Sequence, residues 1–198
     1  MNNALIIFIK NPQWGKAKTR LAKTTGNDQA LAIYLRLLNY TREVTKQASA
    51  DKFLFYSDFI CFDDEWNSTI FIKEKQKGND LGERMANAFQ YAFSQGASNV
   101  VIIGSDCAEL TPAIIENAFS ALEESSLVFG PAKDGGYYLL GMNKFHLPIF
   151  EQKPWSQANL LDVTLEQVKQ IGLSHKLLPE LSDVDTEQDW NEVKDKID

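Results

Sequence analysis

A run of four apolar residues, Val-Val-Ile-Ile at positions 100–103, ends abruptly in Gly104, Ser105 and Asp106. Continuous apolar, mostly β-branched runs are typical of strands that are buried on both faces of a sheet. Asp106 is therefore predicted at the carboxyl end of a rigid central strand, where open α/β sheets bind their ligands. This position makes Asp106 a candidate metal ligand or catalytic residue. The alternative is that Asp106 only belongs to the loop before a helix that starts at Thr111.

The other segments alternate between strand and helix patterns. Apolar runs predict strands, and apolar residues at helical spacing predict helices. Strands are predicted at residues 4–9, 52–57, 69–73, 100–103, 127–132, 137–142 and 174–178, and helices at residues 28–48, 81–95, 111–122, 161–171 and from about 187. This order predicts an α/β fold in a single domain over residues 1–198, with a mostly parallel, Rossmann-like sheet and helices on both faces.

Charge is distributed unevenly along the chain. A net charge of −7 and a pI near 4.9 argue against a general nucleic-acid or anionic-membrane surface, because both partners need a positively charged protein surface. Residues 10–23 nevertheless contain five basic residues and no acidic one. A basic segment in an acidic protein favours a small polyanion as the ligand, whereas a solvated basic loop is the alternative.

The basic segment has the composition of a phosphate-binding loop. Pro12 and Gly15 favour a tight backbone turn, and Lys16, Lys18 and Arg20 supply donors for charge-assisted hydrogen bonds. This combination suits a diphosphate. It is not a Walker loop, because the second glycine and the Gly-Lys-Ser/Thr ending are absent, and it also lacks the dinucleotide-binding glycine pattern.

Two segments in the middle of the chain combine glycine with charged residues. Gly82 lies in the first turn of a predicted helix, where a missing side chain lets a ligand approach and Arg84 can turn towards it. Residues 133–136, Lys-Asp-Gly-Gly, form a tight turn by default, and Asp134 then fills that turn. The alternative is that a ligand approaches closely, because so many permissive backbone positions surround one Lys-Asp pair. Trp155 is a candidate either for lining an acceptor pocket or for ordinary packing.

Two acidic clusters have different interpretations. The side chains of residues 63–65, Asp-Asp-Glu, diverge from one another, so a solvated loop is favoured over a metal site. Asp183 and Asp185 precede a final helix that either Asp185 or Thr186 caps. Capping explains one of the two aspartates and not both.

The cysteine content and the N-terminal segment suggest where the protein acts. Cys61 and Cys107 do not form a disulfide framework or a zinc-site spacing, which suits a reducing cytoplasm. The apolar run at residues 4–9 is too short to be a signal peptide or to span a membrane. We therefore expect a cytoplasmic location.

Four motifs resemble those of a known bacterial family. They are Phe8-x-Lys10-x-Pro12-x-x-Gly15-x-x-Lys18-Thr19-Arg20-Leu21, Gly104-x-Asp106, Gly130-Pro131-Ala132-x-Asp134-Gly135-Gly136-Tyr137-Tyr138-Leu139-Leu140-Gly141 and Asp183-x-Asp185-Thr186-x-x-Asp189. In this order they resemble the nucleotide-diphospho-sugar transferase-like family, whose members are described as glycosyltransferases. That family is similar to molybdenum cofactor guanylyltransferase and 2-phospholactate guanylyltransferase. The resemblance covers nearly the whole chain, with one departure: the family usually has proline where this chain has Ala108.

The resemblance implies a GT-A fold with a nucleotide site. Nucleotide-binding roles fall on Lys10, Pro12, Gly15, Lys18, Thr19, Arg20 and Arg84. Asp106 and Asp185 are implied as ligands of Mg²⁺ or Mn²⁺, because hard cations prefer oxygen donors. Asp106 and Asp134 are the catalytic candidates, with Asp134 orienting the acceptor or acting as general base. The acceptor region comprises Gly135, Gly136, Tyr137 and Trp155.

Three functions are compatible with these residues. The first is a metal-dependent glycosyltransferase that moves a sugar from a nucleotide sugar to a small-molecule acceptor. The second is a nucleotidyltransferase that uses a nucleoside triphosphate and releases pyrophosphate. The third is a nucleotide-binding module without catalysis. Neither nucleic acid nor a membrane span is expected to take part.

Overall fold

In a computed structural model, residues 2–197 are described and build one seven-stranded sheet. The strands are β1 (Asn3–Ile9), β2 (Asp51–Tyr56), β3 (Phe71–Lys75), β4 (Asn99–Ile103), β5 (Leu127–Pro131), β6 (Tyr137–Met142) and β7 (His175–Leu177). They lie in the order β3-β2-β1-β4-β6-β5-β7. The predicted mostly parallel α/β sheet is confirmed, and its single-domain organisation over residues 1–198 stays a prediction.

Only β6 runs against its neighbours among the described strands. β6 is antiparallel to β4 and to β5, whereas every other neighbouring pair is parallel. The carboxyl ends of β1 to β5 therefore meet at one edge of the sheet, and the amino end of β6 meets them there. We call this the carboxyl edge.

The strands β1 and β4 lie at the centre because their residues are apolar towards both faces. In β1, Leu5 and Ile7 enter the core on one face, whereas Ala4 and Ile6 enter the core on the other, and all four are fully buried. This is the alternation that a pleated strand imposes on an uninterrupted apolar run.

Helices cover both faces of this sheet. They are α1 (Thr19–Thr25), α2 (Asn27–Lys46), α3 (Leu81–Ser94), α4 (Pro112–Ala121), α5 (Leu160–Gln170) and α6 (Glu187–Val193), with a short 3₁₀ helix at Leu147–Ile149. α2 and α4 pack on one face and α3 and α5 on the other, while α1 and α6 join α2 in a smaller third cluster. Within residues 2–197, no helix combines the length and the hydropathy needed to cross a membrane.

Local structure differs from the sequence prediction around the first helices. The prediction placed a loop through Arg20, but α1 begins at Thr19 and buries only Leu21 fully. Such a short helix with one buried residue has no detectable hydrophobic period. α2 begins at Asn27, one residue before the predicted start, so Asp28, a plausible cap from its place in the sequence, lies inside the helix and instead accepts a 2.9 Å hydrogen bond from the indole of Trp14.

β3 starts two residues later than predicted. The side chain of Asn67 accepts hydrogen bonds from the backbone N–H and the hydroxyl of Thr69, and its carbonyl accepts one from the N–H of Phe71. Residues 67–70 therefore form a turn. An asparagine that bonds to its own following backbone competes with strand formation there.

Gly141 is predicted to be essential for packing across the sheet. A Cβ at this position of β6 would lie 2.6 Å from Cγ1 of Val128 and 3.0 Å from Cγ2 of Val101. We expect Gly141→Ala to lower the free energy of unfolding by about 1–3 kcal/mol, measured by urea denaturation. Gly104→Ala is the control, because its Cβ would enter open space. Equal stability of the two variants would contradict this account of the packing.

Candidate active site

A cavity of about 340 Å³ opens at the carboxyl edge of the sheet. Residues at or just beyond the ends of four parallel strands line one side, and the start of α3 and the segment before α5 line the other. The polar and charged lining residues include Lys10, Tyr34, Ser57, Gln76, Arg84, Ser105, Asp106 and Tyr137, while Leu81, Met85, Trp155 and Leu160 supply apolar surface. Parallel strands bring these distant segments together, as expected for a ligand site in an open α/β sheet.

Lys18 joins two carboxylates that are far apart in the sequence. Its Nζ lies 2.8 Å from Oδ1 of Asp106 and 3.7 Å from Oδ1 of Asp185, and it donates a 2.6 Å hydrogen bond to the carbonyl of Val184. The side chain of Lys18 is 6% exposed, whereas those of Asp106 and Asp185 are 42% and 37% exposed. The ammonium is therefore the inner part of this cluster, and the carboxylates are its open part.

The backbone of Lys18 matches this inward orientation. Lys18 precedes α1 with φ 49° and ψ 47°, a left-handed conformation that is uncommon for residues other than glycine. Such a conformation persists where surrounding contacts hold it. The sequence predicted that Lys18 faces phosphates, but here its ammonium faces carboxylates.

A hydrogen-bond network at the start of α6 places Asp185. The hydroxyl of Thr186 accepts from the N–H of Asp189, and a carboxylate oxygen of Asp189 accepts from the N–H groups of both Asp185 and Thr186. Thr186 is therefore the cap, and the side chain of Asp185 is left to contact Lys18 and Arg20. The N–H of Val184 donates a 2.9 Å bond to the carbonyl of Asp106, which ties the two aspartate segments together.

A second, smaller cavity of about 210 Å³ lies beside the first. Its lining contains four of the predicted nucleotide-binding residues and both predicted metal ligands: Lys10, Lys18, Thr19, Arg20, Asp106 and Asp185, together with Tyr34. Lys10, Tyr34 and Asp106 line both cavities. The structure thus brings the basic segment and the two aspartates to one polar pocket next to a larger, more apolar one.

The donor set suits a hard divalent cation. Mg²⁺ typically binds through one or two carboxylates and completes its shell with water and substrate phosphate oxygens. Within residues 2–197 there is no cluster of three or more Asp, Glu, His or Cys side chains for a metal ion. Asp106 and Asp185, which converge on one ammonium and remain partly exposed, fit the two-carboxylate arrangement.

Tyr34 lines both cavities, although the sequence predicted only its place in the helix over residues 28–48. Its hydroxyl accepts from the N–H of Lys10, donates to the carbonyl of Lys10 and lies 3.2 Å from the hydroxyl of Ser105. Burial, and then the charge of Asp106, raise the pKa of Tyr34 well above its usual value. Helical spacing alone could not distinguish this tyrosine from a core residue, because the hydroxyl contacts depend on two other strands.

Asp183 is a third aspartate of this region, beside Asp106 and Asp185, and the sequence did not predict it as a metal ligand. Its backbone bridges to Cys107, beside Asp106. Burial, and then the negative charge of Asp106, raise the pKa of Asp183 to about 7. The Asp-x-Asp spacing with Asp185 was the available sequence signal for its position near the site.

Residues 11–15 of the loop after β1 line neither cavity. The Asn11 side chain accepts from the N–H of Asp58 and donates to the carbonyl of Phe59, so it attaches the loop to the segment after β2. Pro12 and Gly15, both predicted to contact nucleotide, line neither cavity. Gly15 has φ 72°, so its role within the described structure is to turn the chain.

Gly82 does not serve the close ligand approach that the sequence predicted. A Cβ on Gly82 would lie 2.6–2.7 Å from the Trp155 indole and 2.7 Å from the carbonyl of Phe150. The missing side chain therefore makes room for Trp155. Arg84 lines the larger cavity as predicted, and its Nε donates to the carbonyl of Gly78.

The Asp-Gly-Gly turn supports the same tryptophan segment. Asp134 is exposed, lines neither cavity and accepts a 2.9 Å bond from the N–H of Gly136, so it fills the turn. Gly135 has φ 88°, packs on the carbonyl of Ala158 and accepts from the N–H of Leu161. The turn thus fixes the start of α5 and the segment of Trp155, while Gly135 and Gly136 themselves do not line the cavity.

Both the sequence and the fold of this chain are similar to those of known proteins. The family described as "Uncharacterized protein conserved in bacteria (DUF2064)" matches residues 38–157, more than half of the chain. The chain belongs to the DUF2064 family. The matched region includes Asp106, Asp134 and Trp155 but neither Lys18 nor Asp185. No match was found among curated proteins.

Solved structures extend the likeness over the whole DUF2064 chain. The "putative nucleotide-diphospho-sugar transferase" of Desulfovibrio desulfuricans G20 is 33% identical, with a TM-score of 0.89 over 96% of this chain and 86% of that one. The inositol-1-phosphate CTP transferase of T. maritima is 15% identical, with a TM-score of 0.57 over 96% and 91%. Rv0371c of Mycobacterium tuberculosis H37Rv, in complex with manganese, is 13% identical, with a TM-score of 0.56 over the full length of both. The predicted fold of the nucleotide-diphospho-sugar transferases is confirmed.

Gly135 and Gly136 provide a matched pair for testing the turn in this DUF2064 protein. Gly135→Ala forces a side chain into a left-handed position and onto the carbonyl of Ala158. We expect it to lower the free energy of unfolding by about 1–3 kcal/mol in urea denaturation. Gly136→Ala meets only the Asp134 side chain at 3.2 Å and should cost less than about 1 kcal/mol. A larger loss for Gly136→Ala would refute the assigned roles.

Tyr137 and Tyr138 form a second matched pair. The Tyr137 hydroxyl is buried without a hydrogen-bond partner among residues 2–197, whereas the Tyr138 hydroxyl donates a 3.0 Å bond to the carbonyl of Pro179. Tyr137→Phe should leave the free energy of unfolding unchanged or raise it, and Tyr138→Phe should lower it by about 1 kcal/mol. Thermal and urea unfolding check this. The opposite order of stabilities would show that the Tyr137 hydroxyl is paired in solution.

Proposed function

We propose that the protein is a metal-dependent glycosyltransferase that moves a sugar from a nucleotide-sugar donor to a hydroxyl group of a small-molecule acceptor. The observation that carries this proposal is the convergence of Asp106 and Asp185 with the basic segment, at the junction of a polar pocket and a larger apolar one. Basic side chains and a hard divalent cation together can bind a diphosphate, and the adjoining cavity has room for the acceptor. The 33% identical relative bears the name of a nucleotide-diphospho-sugar transferase.

The proposed donor site uses the polar pocket. Lys10 and Arg20 line it and would contact the phosphates. Lys18 also lines it, and its ammonium would add positive charge beside the phosphates while it stays paired with Asp106 and Asp185. The loop backbone would pass around the donor, in a conformation that depends on Pro12, Gly15 and Thr19. Arg84 would reach the donor from the far wall of the larger cavity.

Asp106 and Asp185 would hold Mg²⁺ or Mn²⁺. When bound, such an ion neutralises the charge that develops on the departing diphosphate. The manganese complex of Rv0371c, which has a similar fold, supports testing Mn²⁺ first. By holding the ion at the junction of the two cavities, the two carboxylates would also orient the diphosphate relative to the acceptor cavity.

The acceptor would occupy the larger cavity, whose walls include Tyr137 and Trp155. Its hydroxyl oxygen forms a bond to the anomeric carbon of the sugar, the bond from that carbon to the diphosphate breaks, and a nucleoside diphosphate leaves. The hydroxyl proton passes to a base, for which Asp134 is the candidate. Because Asp134 is exposed beside the turn, this role requires the acceptor to extend out of the cavity as far as the Asp134 carboxylate. Gly135 and Gly136 would act by holding the acceptor wall in place.

The cytoplasmic location of the protein stays a prediction.

The second candidate is a nucleotidyltransferase. In that reaction a phosphate oxygen of the acceptor attacks the α-phosphate of a nucleoside triphosphate, and pyrophosphate leaves. The similar fold of the inositol-1-phosphate CTP transferase favours including it. The same basic residues and carboxylates would serve both reactions, so the leaving group distinguishes them.

The deciding experiment combines binding with product analysis. Thermal unfolding is followed with nucleoside diphosphates, triphosphates and nucleotide sugars, each with Mn²⁺, Mg²⁺ or EDTA, and the stabilising donors are assayed with hydroxyl-bearing and phosphorylated acceptors. A metal-dependent shift with a nucleotide sugar and release of nucleoside diphosphate support the proposal. Pyrophosphate release supports the nucleotidyltransferase, binding without turnover supports a binding module, and no shift with any nucleotide refutes a nucleotide site.

Asp106→Asn tests the carboxylate that carries the proposal. We expect it to reduce turnover by roughly 10²-fold or more, because it removes a ligand of the divalent cation that would neutralise charge on the leaving group. It should also abolish the metal-dependent part of the nucleotide shift. Asp63→Asn is the control, since Asp63 is an exposed acid in the loop after β2. Full activity of Asp106→Asn would refute the assigned role.

A further inference from the structure

The pairing of Lys18 with two aspartates has a consequence beyond phosphate binding. Among the described residues Lys18 is the ion-pair partner of Asp106, and Asp185 is shared between Lys18 and Arg20. Arg20 is 69% exposed, so water screens its pair with Asp185. Lys18, whose side chain is 6% exposed, is the inner and less screened cation of the cluster.

A buried ammonium of this kind is costly unless it is fully paired. Lys18 meets that requirement with the carboxylate of Asp106, the carbonyl of Val184 and the nearby carboxylate of Asp185. The three partners come from two segments, and these segments also share the backbone bond between Val184 and Asp106. Removing the ammonium would leave two like charges facing each other with no inner cation.

We propose that Lys18 is a positioning residue, whose ammonium holds the carboxylates of Asp106 and Asp185 together and ready for a divalent cation. Without a metal ion, the ammonium of Lys18 occupies the position between the carboxylates of Asp106 and Asp185. This role rests on the proposed function only in treating these two aspartates as the cation ligands. Because like charges repel, the ammonium also lowers the affinity of the pair for the cation and keeps the site exchangeable.

The first test compares Lys18→Met with Lys16→Met, an exposed lysine of the same loop, by thermal unfolding in EDTA and in MnCl₂. In EDTA we expect the Tm of Lys18→Met to fall by roughly 4–8 °C and that of Lys16→Met by less than about 2 °C. Mn²⁺ should raise the Tm of Lys18→Met more than that of the wild type, because it replaces the missing charge. An equal loss of Tm in EDTA and in Mn²⁺ would mean that Lys18 only packs, and would overturn the proposal.

A second set of variants tests the positioning role of Lys18 if Lys18→Met does not fold. In an Asp106→Asn, Asp185→Asn background the ammonium lacks its charged partners, so the Tm in EDTA should fall below that of the wild type. Adding Lys18→Met to this background should then raise the Tm, since it removes an unpaired buried charge. A further fall in Tm on that addition would overturn the proposal.

These arms contain no nucleotide, so they are independent of the reaction. If the charge effects appear in EDTA and Mn²⁺ stabilises the protein but no sugar or nucleotidyl transfer is detected, the proposed function fails and the role of Lys18 stands. If transfer is detected and the Lys18→Met loss is the same with and without Mn²⁺, the function stands and the positioning role fails.

Discussion

The shared direction of the strands at the carboxyl edge is the constraint on which the rest of this structure depends. β1 to β4 run parallel, so the segments after them end at one place, and the reversed β6 begins there. Their central strands are rigid because both faces are buried. Asp106, which follows β4, is therefore delivered to a position set by the core rather than by a flexible loop.

The polar part of the site is assembled from three segments that close on one another. The basic segment brings Lys18, the β4 end brings Asp106, and the start of α6 brings Asp185. The capping hydrogen bonds of Thr186 and Asp189 occupy the helix start, so Asp185 is free to contact the cations. Arg36 stacks on Trp190 of α6 and donates to the carbonyl of Ile197, which attaches this last segment to α2. The C-terminal segment is thus part of the site and not an appendage.

The apolar part depends on two glycines that admit other protein atoms. Gly82 makes room for Trp155, and Gly135 makes room for the carbonyl of Ala158 in the same segment. A glycine beside a candidate site is easily interpreted as leaving room for a ligand. In this protein both glycines instead bring the cavity wall close to α3 and to the hairpin between β5 and β6.

The sequence by itself determined the α/β class, the two central strands and the place of Asp106 at the end of one of them, because apolar runs and their abrupt ends are local signals. It also identified the basic segment, four of whose residues line the polar pocket. Only the tertiary structure decided which groups Lys18 and Tyr34 contact, that Trp155 fills the space at Gly82, and that Pro12 and Gly15 turn away from the cavities. The reason is physical: each of these depends on a contact between segments that become neighbours only after the strands have paired, and no local period records which side chains will then meet.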